Sequence, residues 1–311
     1  MNPQENVVPE SHFDSQQISP APTSATRPLY WSIRREVWEN HSIYMAPLAV
    51  AGVILFGFLT GAMKLSKHLR AALPQNQIDQ YMAIQASLLF VAFLLILTAF
   101  IVGTFYSLDA LHGERRDRSI LFWKSLPVSD LTTVISKASI PLVVLPLLTV
   151  VTILVTQLLI LLISSITLTA NGTAVRPLWE QLHLFKTPLE VLYALAALAL
   201  WHAPIYGWLL LVSSWVKRAP LLWAVMPLLA ISIFEHIAFH TGYFASFVKY
   251  RLTGVMTEAF FSPKPGTLPS DLMWLLTPVK FLSSPDLWIG LAVAAVFLGA
   301  AVRLRRYREP I

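Results

Sequence analysis

The sequence predicts an all-α polytopic membrane protein with about six transmembrane helices, and three observations support that fold class. Hydrophobic residues make up 56% of the 311 residues, charged residues make up only 13%, and the mean hydropathy is +0.62. Soluble domains average about 25% charged residues, so an ordinary globular core is excluded. Several apolar runs also reach the roughly 20 residues that a bilayer crossing requires. Cysteine is absent, which excludes disulfides, thiolate metal sites and a cysteine nucleophile.

The apolar runs place six spans within a single transmembrane domain from residue 28 to residue 311. We expect the spans at about 43–63, 83–110, 138–168, 189–216, 219–240 and 286–303. The third span carries Pro141 and Pro146, which predict a tilt or kink near its start. The segment 241–285 is too apolar for a plain external loop, and it predicts short helices before the last span.

The chain before the first span divides into two parts. Residues 1–27 are rich in Pro, Ser and Gln and lack an apolar run, which predicts a disordered cytoplasmic tail and no signal peptide. The following stretch alternates apolar and charged residues in a way that suits a helix lying in the membrane interface. Its apolar members are Leu29, Tyr30, Ile33, Val37 and Trp38, and its charged members are Arg34, Arg35, Glu36 and Glu39. An ordinary helix packed on the protein fits the same pattern.

The positions of the basic residues predict the orientation. Most of the 23 Lys and Arg residues fall in short segments beside the spans, and the densest run, 303–308, follows the last span. The positive-inside rule then places both termini and the loop 111–137 in the cytoplasm. A net charge of +6 would suggest nucleic acid in a soluble chain. Here the basic residues orient the protein and meet anionic lipid, so membrane lipid is an expected partner and nucleic acid is not.

The most informative segment is the charged loop 113–130, between the second and third spans. Its apolar patch 120–123 lies among charges, and large apolar anchors rimmed by charge are typical of a protein-docking surface. Pro127 should end this patch and Ser129 should cap the helix that follows. Insertion of the aromatic residues into lipid headgroups is the alternative, although the acidic residues of the loop suit an anionic surface poorly. The candidate docking residues are Glu114, Arg115, Asp117, Ile120, Leu121, Phe122 and Trp123.

This loop also carries a resemblance to a known family. The run ERRDRSILFWKSLPVSDLTTVISK, which follows FYSLDALHG at the end of a span, resembles the first cytoplasmic loop of bacterial ABC transporter type-2 permeases. The helices expected before the first and last spans also fit, so the resemblance extends from residue 28 to residue 306. The loop is its moderately specific part, and the spans by themselves are weakly specific.

The resemblance implies a permease subunit of an ATP-driven transporter, in the bacterial inner membrane, with 113–130 as the coupling helix on a separate cytoplasmic ATPase. It also implies a homodimer or heterodimer of permease subunits, and export rather than import because the family consists mostly of exporters. ATP and Mg²⁺ would be bound by the partner, and this chain would be a non-catalytic subunit without a cofactor or metal. The sequence contains no GxxxxGK[ST] phosphate loop, so we expect ATP hydrolysis on another polypeptide.

Two other function classes stay open. An ATP-independent channel or secondary transporter could use the loop as a regulatory contact. A membrane-embedded metal hydrolase would use His236 and His240, which are four residues apart on one helical face. However, the residue after the first His is Ile237 rather than the glutamate of the zinc-protease pattern. Structural histidines at the interface, with Glu235 paired to a neighbouring helix, are the better interpretation.

Intramembrane polar residues are few, and His202 lies near the middle of the fourth predicted span. Ionisable groups at that depth usually face the bundle interior or a cavity. We therefore expect His202, with Tyr206 and Trp208, to line a cavity for cargo. A neutral histidine that is hydrogen-bonded to a neighbouring helix is the competing interpretation. Asp109, at the inner end of the second span, is expected to pair with a basic residue of the loop.

Overall fold

A computed structural model describes residues 26–69, 77–125, 128–170, 186–260 and 277–307, with isolated positions between 171 and 180. Nearly all of the expected tail 1–27 lies outside the described residues, and so does Pro127. The described part is all-helical. Six of its helices are long and apolar enough to cross a membrane, which indicates a multi-pass membrane protein.

The described helices follow one another with short connections. In chain order they are α1 (Thr26–Glu39), α2 (Ser42–Leu69), α3 (Gln77–Arg116), α4 (Ser119–Ser125), α5 (Asp130–Ser139), α6 (Leu145–Ala170), α7 (Lys186–Trp215), α8 (Pro220–Phe239), α9 (Tyr243–Thr253), α10 (Val255–Glu258), α11 (Pro278–Ser283) and α12 (Pro285–Tyr307). A π-helical turn, Ile140–Val144, joins α5 to α6.

The six predicted spans are confirmed as helical segments. The apolar segments are Ser42–Gly61, Ala86–Arg116, Asp130–Ala170, Thr187–Trp215, Pro220–Phe239 and Pro285–Tyr307. The second ends later than predicted and the third begins earlier, because the helices continue through charged residues that hydropathy alone assigns to a loop. The short helices expected before the last span are present as α9, α10 and α11.

Prolines and left-handed residues mark the interruptions. Pro141 lies at the start of the π-helical turn, where the helix accommodates a residue that cannot donate a backbone hydrogen bond. The predicted span bounds 189–216 and 219–240 leave only a short connection, and the structure agrees, because α7 ends at Trp215 and α8 begins at Pro220. Ala219, just before Pro220, has a left-handed backbone with φ of 53°.

The helix α7 is the most buried of the six spans, and α8 is the least buried. The main partners of α7 are α3 and α12, while α2, α3 and α6 pack together beside them. The backbones of α7 and α12 approach closely at Gly207, where an added Cβ would lie 3.3 Å from the carbonyl oxygen of Ala294. Small residues permit such helix contacts in membrane proteins.

Charged residues gather at one end of the bundle. This charged end consists of α1, the last turns of α3, α4, α5 and the last turns of α12, and α1 packs chiefly on α5. The helices α9, α10 and α11 lie at the other end, beside the first half of α7 and the start of α12. The charged end contains the loop in which docking residues are predicted.

Candidate docking site and its charge network

The first part of the predicted loop is a continuation of α3. The helix runs through Arg116, and the chain then reverses at Asp117 and Arg118 before α4 begins at Ser119. Arg118 has a left-handed backbone with φ of 58°, which is uncommon for a residue with a side chain and costs on the order of 1 kcal/mol. The reversal lets α4 return against α3 instead of extending the helix outward.

The short helix α4 has a buried face and an exposed face. Ile120 is only 1% exposed and anchors one side of α4 in the protein. Leu121 and Phe122 are each 59% exposed, and the side chain of Asp117 is 63% exposed. We call Asp117, Leu121 and Phe122 the exposed α4 patch. Two large apolar side chains beside a carboxylate form the kind of surface that a protein partner can cover.

Trp123 connects α4 to α1. Its ring lies against Phe122 in an edge-to-face arrangement, with 4.9 Å between ring centroids. The guanidinium carbon of Arg35 lies 3.7 Å from the centroid of the Trp123 ring, which is a close cation–π contact. Arg35 also forms an ion pair of 2.7 Å with Glu36. A displacement of α4 would therefore be felt by α1.

A buried charge network lies behind this contact. Lys137 on α5 is 3% exposed, and its Nζ lies 2.9 Å from Glu36 Oε1 on α1 and 3.1 Å from Glu114 Oε1 on α3. Glu36 is 1% exposed and Glu114 is 8% exposed. The hydroxyl of Tyr106 donates to the second oxygen of Glu36 at 2.8 Å. One lysine on α5 thus joins α1 and α3.

Arg305 extends the network to the last helix. Its Nη2 lies 3.1 Å from Glu114 Oε2, and its Nη1 pairs with Asp130 at the start of α5. The buried charge network comprises three cations and three carboxylates, of which Lys137, Arg305, Glu36 and Glu114 are buried and Arg35 and Asp130 are partly exposed at its edge. Buried charges are tolerated when they are paired in this way, and the removal of one partner costs about 3–5 kcal/mol.

Glu36 lies outside the six spans, and its ionisation follows from these contacts. Burial by itself raises the pKa of the carboxyl, because desolvation disfavours the charged form. The attraction of Lys137 and the hydrogen bonds from Lys137 and Arg35 together outweigh burial, so the pKa lies below its ordinary value. Glu36 is therefore a carboxylate at neutral pH although it is buried.

The remaining polar residues at the end of α3 hold α7 in place. Arg115 Nη1 donates to the carbonyl oxygens of Ser214 and Val216, at 2.9 and 3.3 Å. The first carbonyl belongs to the last turn of α7 and the second lies just after its end, where backbone acceptors lack helical donors. Ser213 Oγ accepts hydrogen bonds from two backbone N–H groups of α3. The predicted pairing of Asp109 is also present, since Arg116 lies 3.6 Å away.

The predicted docking residues therefore separate into two groups. Asp117, Leu121 and Phe122 are exposed, and Trp123 is partly exposed beneath Arg35. The expectation of an exposed docking surface is corrected for Glu114, Arg115 and Ile120, because all three side chains are buried. Glu114 and Arg115 lie in the last turn of α3 and bind other helices of the same chain. Only the first group offers surface to a partner.

The sequence reasoning missed the network itself. In the sequence, Arg305 falls in the basic run 303–308 that predicts orientation, Arg35 and Glu36 are charged members of the helix expected before the first span, and Lys137 lies in the loop 111–137. A signal was present, because Glu36 follows Ile33 by three residues and Lys137 follows Val134 by three. Charges at the spacing of the buried helical face indicate a buried ion pair rather than an exposed one.

A small cavity lies between α3, the π-helical turn, α6 and α7. Its volume is about 40 Å³, and His202, Tyr206, Phe100 and Pro141 contribute to its wall. Ligand pockets usually measure about 300–1,000 Å³, so this cavity has room for about one water molecule and not for a bulky cargo. Trp208 does not contribute to the wall of this cavity, and its Nε1 donates to the carbonyl of Ala224 on α8, so its place beside a cargo path stays a prediction.

His202 fits both interpretations that its sequence context allowed. It lines the small cavity, and its two ring nitrogens lie 2.8 Å from the carbonyl oxygen of Leu198 and 3.3 Å from that of Leu252 on α9. The second contact links α7 to the short helix α9. A cargo-binding role for His202 and Tyr206 stays a prediction.

The histidines at the end of α8 do not form a metal centre with other described residues. His236 and His240 are exposed. Nowhere in the described ranges do three or more His, Cys, Asp or Glu side chains form a group that could hold a metal ion. Glu235 accepts hydrogen bonds of 2.8 Å from Thr241 Oγ1 and from the backbone N–H groups of Tyr243 and Phe244. It therefore fixes the corner between α8 and α9, in line with its expected pairing to a neighbouring helix.

Comparison of the chain with protein-family models, curated proteins and solved structures gives no match.

Proposed function

We propose that this chain is the membrane-spanning permease subunit of an ATP-driven transporter of the ABC type, with ATP hydrolysis on a separate cytoplasmic subunit. The observation that carries the proposal is the exposed α4 patch, which lies between two apolar spans and is backed by the buried charge network. Leu121 and Phe122 supply the apolar anchors, and Asp117 supplies charge at their edge. The charged loop that resembles a permease coupling loop contains this patch.

The proposed mechanism follows the contacts behind α4. Closure of the ATPase on ATP displaces α4, and the Arg35–Trp123 contact passes the displacement to α1. Lys137 passes it to α5, which begins the third span, and Arg305 passes it to α12, which is the sixth span. Paired buried charges suit this task because the helices cannot separate without leaving a charge unpaired.

Orientation and assembly belong to the same proposal. The charged end faces the cytoplasm of a bacterial inner membrane, because Arg303, Arg305 and Arg306 lie at the end of an apolar span. The resemblance supports a dimer of permease subunits and export as the direction of transport. The identity of the cargo is open, since the cavity beside His202 is too small to select one in this conformation.

Capture of the ATPase tests the proposal. We expect an affinity-tagged full-length chain, solubilised from its native membrane in mild detergent, to retain a polypeptide with a Walker phosphate loop and ATP-hydrolysing activity. Phe122→Ala should weaken this complex by about 2 kcal/mol, roughly 30-fold in Kd, because a large exposed anchor is removed.

Phe234→Ala is the matched control. Phe234 is 67% exposed on α8, far from the α4 patch, and the change removes the same side chain. We expect this variant to keep the ATPase with unchanged affinity. Failure of the unaltered chain to capture any ATPase would overturn the proposed function. Equal affinity of the Phe122→Ala and unaltered chains would overturn the assignment of α4.

A further inference from the structure

The outer face of α1 carries an aromatic stripe interrupted by one arginine. Tyr30, Trp31 and Trp38 are 59%, 58% and 64% exposed, and Arg34 is exposed between them. Residues 31, 34 and 38 are three and four positions apart, so they lie on one face of the helix. We call Tyr30, Trp31, Arg34 and Trp38 the α1 stripe. A row of large exposed aromatic residues indicates a surface that contacts another molecule or a membrane.

The opposite face of α1 fixes the direction of the stripe. Ile33 and Val37 pack against a buried apolar cluster, and Glu36 is held by Lys137 in the charge network. Rotation of α1 to bury the stripe would break the ion pair and expose these apolar side chains. One face of α1 therefore packs on the protein and the other faces away from it, while the position of α1 in the membrane interface stays a prediction.

Arg34 differs from its neighbour Arg35 in its partners. Its guanidinium carbon lies 5.2 Å from the ring centroid of Trp31 and 4.6 Å from that of Trp38. Across the described ranges Arg34 has no ion pair with a carboxylate, whereas Arg35 pairs with Glu36. The two rings orient the guanidinium by cation–π attraction but do not neutralise it. The Arg34 guanidinium is therefore held in place and free to pair with an anion that is not part of the described chain.

We propose that the α1 stripe binds the headgroups of anionic phospholipids at the membrane surface. Tryptophan and tyrosine rings are enriched at the boundary between membrane and water, and a nearby arginine attracts lipid phosphate. The stripe also leads into the first span, where Met45 and Leu48 are exposed apolar residues on α2. A protein partner would not explain this continuity with a lipid-facing helix. The inference does not depend on the transport function.

Lipid-resolved fluorescence quenching tests this proposal on the full-length chain. The chain has no cysteine, so Tyr30→Cys provides one site for a small fluorophore while Trp31, Arg34 and Trp38 remain. The labelled protein is placed in nanodiscs of equal phosphatidylglycerol and phosphatidylcholine, with one lipid at a time brominated near the headgroup. A surface cation is worth about 1 kcal/mol, so we expect up to about fivefold local enrichment of phosphatidylglycerol.

Charge-matched variants isolate the role of Arg34. Arg34→Gln should abolish the difference between the two brominated lipids while both still quench the fluorophore. Arg303→Gln makes the same charge change at another exposed arginine, on α12, and should leave the difference intact.

Three results would overturn the proposal. Equal quenching by the two lipids in the chain that retains Arg34 would exclude headgroup charge recognition. An equal loss of enrichment in the Arg303→Gln variant would attribute it to overall charge. Absence of quenching by either lipid would place the stripe against water or a protein partner.

Discussion

Glu36 and Lys137 are the two residues on which the arrangement of the charged end depends most. Both are buried, and each would be costly without the other because an unpaired charge in a low-dielectric environment has little solvation. Their partners extend the pair in two directions, to Trp123 through Arg35 and to α12 through Glu114. A chain of contacts thus runs from Trp123 on α4 through the pair to α12.

Loss of the Glu36 charge should destabilise the protein strongly. We expect Glu36→Gln to lower the free energy of unfolding in detergent by about 3 kcal/mol, because Lys137 loses its closest counter-charge. Glu39→Gln is the control on the same helix, since the Glu39 side chain is 50% exposed and should change stability by less than about 1 kcal/mol. Similar effects of the two changes, in denaturant titrations followed by fluorescence, would contradict a special role for the buried pair.

The same carboxylate predicts a dependence of stability on pH. Because the folded-state pKa of Glu36 lies below the ordinary 4.5, its contribution is fully present above about pH 4.5 and is lost as the pH falls through the folded value. The difference in unfolding free energy between the unaltered chain and Glu36→Gln should be constant from about pH 7 to about pH 5 and should shrink in more acidic solution. A difference that grows on acidification would show the opposite sign of the pKa shift.

At the scale of elements, the contact between α7 and α12 depends on a missing side chain. An alanine at Gly207 would place its Cβ 3.3–3.4 Å from backbone atoms of Ala294, which cannot move aside as a side chain can. At Gly299 on α12 an added Cβ meets nothing within 4 Å. These two glycines form a matched pair for substitution.

We expect Gly207→Ala to be about 1–3 kcal/mol less stable than Gly299→Ala, because overpacking is costly and both changes share the same gain in helix propensity. Thermal unfolding of the detergent-solubilised proteins measures the difference. Equal melting temperatures would show that α7 and α12 can separate without cost, and the close contact would then have no energetic role.

Elements with local signals were predictable from the sequence. Ser129 was expected to cap the helix after the docking loop, and its Oγ accepts a hydrogen bond of 3.1 Å from the backbone N–H of Thr132. The turn before Pro220 and the interruption at Pro141 also follow from local chemistry. The predicted end of the second span, at residue 110, is too early. A hydropathy pattern assigns Glu114 and Arg115 to a loop because they are charged, whereas their partners in other helices bury them at the end of α3.

At the scale of the whole molecule, the predictable part is the set of spans, because each depends only on the length and apolarity of one run. Contacts between distant residues were not predictable. Glu36 and Lys137 are 101 positions apart, and Glu114 and Arg305 are 191 apart. Periodicity places a residue on a face of its own helix, but it does not say which helix that face meets. The exposed or buried state of each docking residue depends on those contacts.

Site-specific photo-crosslinking in living cells reports whether the exposed α4 patch contacts a cytoplasmic ATPase, as we propose. A benzophenone amino acid at position 122 should form a covalent adduct with a polypeptide that carries a Walker phosphate loop. The same amino acid at position 234, which is exposed on α8, should give no such adduct. Adducts from position 122 with lipid alone, or with proteins that do not bind ATP, would show that α4 is not the docking helix.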